Sequence, residues 1–174
     1  DLDLTVYFCS DEALVGRQIS LHFQANSSWG IEDKVLIGYR YKFLKNYSPF
    51  PSYLRSFFGL VNIGILNEIR KNRPDLMILM AWINPTFWLA ILACKFYRIP
   101  FVLMTDQNIQ NEMQKSRLKA FLKQFALGRL LFPMAAGFLS AGTSNNRFYE
   151  HYNVPKNALI PFAFSWGFED LIQE

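Results

Sequence analysis

The stretch Asp75–Asp106, DLMILMAWINPTFWLAILACKFYRIPFVLMTD, sets the tightest limit on how this chain can fold. It opens with a short apolar run, Leu76 to Ala81, and closes with a second, Phe101 to Met104. Between them lie a polar break at Asn84-Pro85 and a dozen residues with helix-like apolar spacing. Asn84 suits a helix N-cap, and Pro85 suits the first helical position, where its missing N–H costs nothing. Ile99-Pro100 ends the helix, because a residue before proline is pushed out of the α region. Strand, helix and strand with short joints form a βαβ unit, whose two strands lie parallel in one sheet. Both strands then finish on one edge, and the reading places Trp82 and Asn84 at the same crevice as Thr105, Asp106, Gln107 and Asn108. In open α/β sheets that crevice holds ligands.

A membrane-spanning helix competes for the same residues, since Leu76 to Cys94 is nineteen residues without a charge. Two features oppose it. Asn84-Pro85 falls at the middle of the span, and the next apolar run starts only a few residues later. Fully buried parallel strands are themselves this apolar.

A chain of 174 residues, half of them apolar, suits one domain with a real core and excludes disorder. The two cysteines, Cys9 and Cys94, sit in apolar runs without metal-ligand spacing, and read as buried reduced thiols of a cytosolic protein. The net charge of +4 and pI near 9.1 fit an anionic partner and fit a solubility surplus equally well.

Elsewhere, strands and helices alternate. Leu4 to Cys9 reads as a strand with nothing before it, so the chain is expected to start inside a domain, with an earlier strand missing. Asp11 to Phe23 carries a weak helical pattern, followed by a loop through Asn26, Trp29 and Gly30. Tyr39 to Leu44 alternates as a second strand. Tyr53 to Asn72 has helical spacing at Leu54, Phe57, Phe58, Val61, Ile65, Leu66 and Ile69, stopped by Arg73-Pro74. After the βαβ unit, residues 112–132 form a basic amphipathic helix with Lys115, Arg117, Lys119, Lys123 and Arg129. That pattern suits either a domain helix with its charges in water or one lying on an anionic membrane. Ala135 to Ser140 is a further buried strand, leading through Gly142-Thr143-Ser144 into a helix at Asn145 to Tyr152. A small-residue turn at a helix start can hold an anion, and it can equally be a plain turn. Ala158 to Ile160 is the last strand. The predicted class is therefore α/β, a Rossmann-like open and mostly parallel sheet with helices on both faces.

Few residues carry obvious chemistry. His22 and His151 stand apart from any Ser, Cys or carboxylate arrangement. No P-loop, GxGxxG, paired CxxC or HExxH is present, so neither a cofactor nor a metal is expected. Arg40, Tyr41, Lys42 and Phe43 interleave cations with rings that can stack on bases. Aromatics in a strand are more commonly core, and no nucleic-acid partner is expected. Asp106 is the most informative carboxylate, just past a buried strand among amide side chains, where it either caps a helix or serves a ligand.

The order of these pieces resembles the N-terminal half of glycosyltransferase family 4 enzymes, which have the two-Rossmann GT-B architecture. The matching pieces are Leu4 to Asp11, Trp29, Leu36-Ile37-Gly38-Tyr39, Tyr41 to Asn46, Arg73-Pro74-Asp75, Ile99-Pro100-Phe101, and Gly137 to Pro155 with Pro161 after it. The chain departs from the family at Gly30, at Thr105-Asp106 and at Phe164-Ser165, and lacks the family's glycine-rich first loop. The resemblance implies a cytoplasmic acceptor-side domain, peripheral to the inner face of the membrane, whose full enzyme moves a sugar from a nucleotide-sugar donor to a hydroxyl of a glycan, lipid or polysaccharide precursor. Asp106 would act as the catalytic base. Trp82, Asn84, Thr105, Gln107 and Asn108 would bind the acceptor, and Gly142, Thr143 and Ser144 would bind an anion. The donor domain is absent from these residues, so the chain alone is expected to be inactive. The competing expectation is a non-catalytic Rossmann-like module that binds a partner or an anionic membrane through 112–132.

Overall fold

The computed structural model describes residues 2–10, 38–51, 57–110 and 121–163. The predicted helix at Asp11 to Phe23, the loop at Trp29, His22 and the first half of the 112–132 helix lie outside them. The chain divides into two compact units, Asp1–Arg73 with Trp82–Ala93, and Pro74–Ala81 with Cys94–Glu174. Among the described residues all paired strands are parallel, in an α/β architecture of two sheets, one of two strands and one of four.

The first unit is built on β1 (Thr5–Phe8) and β2 (Arg40–Phe43), paired from Thr5 with Arg40 to Phe8 with Phe43. Side chains alternate along each strand. One face therefore carries Val6, Phe8, Tyr41 and Phe43, with Phe8 stacked on Phe43 at 5.0 Å and Tyr41 edge-on to both. The other carries Thr5, Tyr7, Arg40 and Lys42, and Lys42 pairs with Glu68 at 2.6 Å.

Glu68 belongs to α1 (Gly64–Asn72), which is shorter than its sequence pattern. Among the described residues directly before it, 57–63, there is a single 3-10 turn, Phe57–Gly59. The reason is competition for backbone groups. The Asn46 side chain accepts from Val61 N at 2.9 Å and donates to Gly59 O at 2.9 Å, while Asn62 N donates to Thr86 Oγ1 at 2.9 Å. Groups that a continuous helix needs are held by side chains from elsewhere. Arg73, in the left-handed region at φ 44°, closes α1, as the Arg73-Pro74 stop predicts.

The uncharged stretch 76–94 is strand and then helix, as the Asn84-Pro85 break requires. It holds β3 (Met77–Leu79) and the start of α2 (Pro85–Tyr97), and no helix among the described residues is long and apolar enough to cross a membrane. Arg98 at φ 58° ends α2 directly before Ile99-Pro100. Residues of α2 through Ala93 belong to the first unit and those from Cys94 to the second.

The second unit is a four-stranded sheet in the order β3, β4 (Phe101–Met104), β5 (Gly137–Ser140) and β6 (Leu159–Pro161). All four β4 residues are buried, the state an all-apolar run between parallel neighbours implies. A π-helix, Gln124–Leu131, follows helical residues 121–123 and passes into a 3-10 turn, Phe132–Met134, that contains Pro133. The last helix, α3 (Thr143–His151), starts two residues earlier than its sequence pattern. Its Phe148 and Tyr149, and Tyr152 directly after it, close around Phe132 and Phe138, with ring centroids 4.9–5.8 Å apart along the chain of contacts.

Candidate functional site

In the second unit β4 and β5 run parallel and end together, so the segments that leave them share one edge of the sheet. After β4 come Thr105, which is buried, Asp106, which is exposed, and Gln107 and Asn108, both half-buried. After β5 come Ala141, Gly142, Thr143 and Ser144, all exposed. The two segments are tied by Asn145. Its Nδ2 donates to Gln107 O at 2.6 Å, and its Oδ1 accepts from Ser140 Oγ at 3.1 Å and from Ala141 N at 3.2 Å. Gln107 N also donates to Thr105 Oγ1 at 3.3 Å, which folds the post-β4 segment back toward its own strand.

The predicted residues Thr105–Asn108 and Gly142–Ser144 thus lie along one sheet edge. Gly142 is the N-cap of α3 at φ 122°, a conformation that favours glycine, and no side chain caps the helix there. Its carbonyl accepts the first helical bond, from Asn146 N at 2.9 Å. The α3 start is consequently a bare amide end exposed to solvent, beside residues that offer hydroxyl and amide groups.

Asp106 makes no hydrogen bond or ion pair with any described residue, and the helix-capping alternative is not realised among them. Tyr149 of α3 is fully buried, and among the described residues its hydroxyl is the buried side-chain group without a hydrogen-bond partner. Burial raises the Tyr149 phenol well above its ordinary value, against a smaller lowering influence of the Thr105 backbone amide, which faces the oxygen outside hydrogen-bond geometry.

Asn145 was not visible as a site residue in the sequence, where it reads as an ordinary helical position. The available signal was a polar residue four positions before Tyr149, on the face of α3 that turns inward.

Trp82 and Asn84 lie in the first unit. Trp82 is 9% exposed, and its carbonyl accepts from Trp88 Nε1 at 2.8 Å. Asn84 is 2% exposed and donates through Nδ2 to Phe57 O at 3.1 Å. Both are set into the core of that unit rather than presented on a surface.

An open depression of about 520 Å³ lies in the first unit, lined by Thr5, Tyr7, Arg40, Tyr41, Lys42, Glu68, Lys71 and Asn72. Its polar groups largely engage one another. Arg40 pairs with Asp3, Lys42 with Glu68, and Asn72 donates to Tyr7 Oη at 2.8 Å. Such a layer links β1, β2 and α1 and leaves little unsatisfied polarity to recruit a ligand.

Both cysteines are free thiols, pushed up to about 11 by burial, so neither is poised as a nucleophile. His151 is exposed and meets only the Tyr152 ring, at 5.0 Å edge to face. Among the described residues no cluster of three or more His, Cys, Asp or Glu could hold a metal ion.

The fold and this edge define an α/β protein with parallel sheets and exposed polar residues at the carboxyl ends of β4 and β5. Compared with known proteins, the chain matches no family model, no curated protein and no solved structure.

Proposed function

We propose that this chain is the acceptor-side portion of a glycosyltransferase of GT-B architecture. The observation that carries the reading is the free, exposed carboxylate of Asp106 at the carboxyl end of β4, flanked by Thr105, Gln107 and Asn108 and tied through Asn145 to the open start of α3. In this reading an acceptor hydroxyl approaches Asp106, which takes its proton as the hydroxyl oxygen bonds to the anomeric carbon of the donor sugar. The bond from that carbon to the nucleotide diphosphate breaks, and the diphosphate leaves with the electron pair. Thr105, Gln107 and Asn108 orient the acceptor through hydrogen bonds. The bare amides at Gly142–Ser144 favour an anionic group on the acceptor. Trp82 and Asn84 take no part, because their burial commits them to the core. The donor would be held by a second domain outside these 174 residues.

The test is Asp106→Asn in the full-length protein, assayed for release of nucleoside diphosphate from a panel of nucleotide sugars. Loss of the base should lower kcat about 10²–10⁴-fold with KM nearly unchanged. Turnover equal to that of the unaltered protein would remove Asp106 from the mechanism.

A further inference from the structure

Asp106 is exposed and lies outside any strand or helix. A group that exchanges a proton with a substrate works only when held within about 0.5 Å of its productive place. No described residue bonds the carboxylate itself, so its placement depends on the backbone to either side. Thr105 before it is buried at the end of β4, and its Oγ1 accepts from Gln107 N at 3.3 Å. Gln107 after it is held through its carbonyl by Asn145 Nδ2 at 2.6 Å. Asp106 is thus bracketed by two tethered residues. The second tether comes from another element, since Asn145 stands 38 positions further along, in the first turn of α3.

The tether admits one side-chain chemistry. Ala141 N is a fixed donor and Gln107 O a fixed acceptor, so the amide can be oriented one way only, with Oδ1 toward Ala141 and Nδ2 toward Gln107. Ser140 Oγ donates to the same Oδ1 at 3.1 Å and reinforces that orientation. Asn145→Asp would keep both bonds to Oδ1 and turn a lone pair on the Gln107 carbonyl, breaking the tether while preserving shape. Asn145 is 6% exposed, so it reaches a ligand only through what it holds.

We propose that Asn145 is a positioning residue for Asp106: by fixing Gln107 it sets where the Asp106 carboxylate stands when the acceptor hydroxyl gives up its proton. The role rests on the transferase reading and extends it, making the rate depend on a buried amide remote from the reacting atoms.

The test is a double-mutant cycle in the full-length protein. It reads kcat for nucleoside diphosphate release from the nucleotide sugar that the unaltered protein turns over fastest. Asn145→Asp alone should lower kcat about 10²-fold, the scale of loss for a displacement near 1 Å at the reacting group. In the Asp106→Asn background the same change should lower kcat by less than about twofold, because its effect passes through a carboxylate already removed. A role confined to holding the fold would depress both backgrounds alike. Ser140→Ala removes one donor at Oδ1 and leaves the tether in place. It should keep its circular dichroism and lower kcat about three- to tenfold, again only where Asp106 is present. No turnover of any donor by the unaltered protein, or full turnover by Asp106→Asn, would bring down the transferase reading and this role together. An impaired Asp106→Asn beside a folded Asn145→Asp or Ser140→Ala that turns over normally, or equal losses in both backgrounds, would overturn the positioning role alone.

Discussion

Each unit of this protein contains a buried asparagine that ties together the carboxyl ends of two neighbouring parallel strands, and the two are put to different use. In the first unit Asn62 donates to Cys9 O at 3.0 Å and Leu44 O at 2.9 Å, just beyond β1 and β2, and its Oδ1 accepts from Thr86 Oγ1 at 2.8 Å. In the second, Asn145 performs the same task beyond β4 and β5. Asn62 is wholly enclosed at 0% exposure, and its neighbours Leu44 and Leu60 are buried. Asn145 is nearly as deep, at 6%, but of the residues it bonds Ala141 is exposed and Gln107 half-buried, and their neighbours Asp106 and Gly142–Ser144 stand in solvent. The same local chemistry yields a closed clamp in one place and the support of an exposed polar edge in the other. What separates them is the surroundings rather than the residue: at Asn62 the bonds to Leu44 O and Thr86 are buried, whereas at Asn145 the turns that follow the strands are exposed.

Asn62→Ala is the most severe way to probe this contrast. It takes the side-chain donor from the buried Leu44 carbonyl and the part-buried Cys9 carbonyl and leaves the Thr86 hydroxyl with Leu60 O alone as acceptor, for an expected loss of about 3–5 kcal/mol in urea unfolding. A loss under about 1 kcal/mol would mean the strand ends do not depend on it. Asn145→Ala should cost less, about 2–3 kcal/mol, because Gln107 O and Ala141 N lie close enough to solvent to recruit water. Hydrogen exchange at residues 105–108 and 141–144 should quicken in this variant. Costs equal to those of Asn62→Ala would erase the distinction between clamp and exposed edge. Tyr149→Phe sharpens the comparison at the smallest scale. It deletes the buried hydroxyl without a partner, so stability should stay level or rise by about 1 kcal/mol, measured by thermal melting. A clear drop would reveal a partner for that oxygen.

Much of the framework was legible because it rests on local signals. Asn84-Pro85 and Ile99-Pro100 bracket α2, whose helical residues begin at Pro85 and end at Tyr97. The buried runs of β4 and β5 appear within two residues of their sequence ranges. The break between Phe57 and Gly64 was hidden, since the apolar spacing there continues as if one helix ran through. Only distant partners, Asn46 and Thr86, divert its backbone. The earlier start of α3 was hidden for a related reason: Gly142 caps by conformation, with no side-chain signal to read. At the sheet edge, Thr105–Asn108 and Gly142–Ser144 stood out as polar residues following apolar strands. The burial of Trp82 and Asn84 did not, because their position after β3 says nothing about what packs over them.

The enclosure that mutes Cys9 and Cys94 also makes them useful. The chain has only these two thiols, one assigned to each compact unit, and both are held protonated by their surroundings. Alkylating reagent in mildly alkaline buffer would mark the buried Cys94 only when its surroundings open, and the half-buried Cys9 more readily. Mass spectrometry of the two labelled peptides would then follow the two units separately.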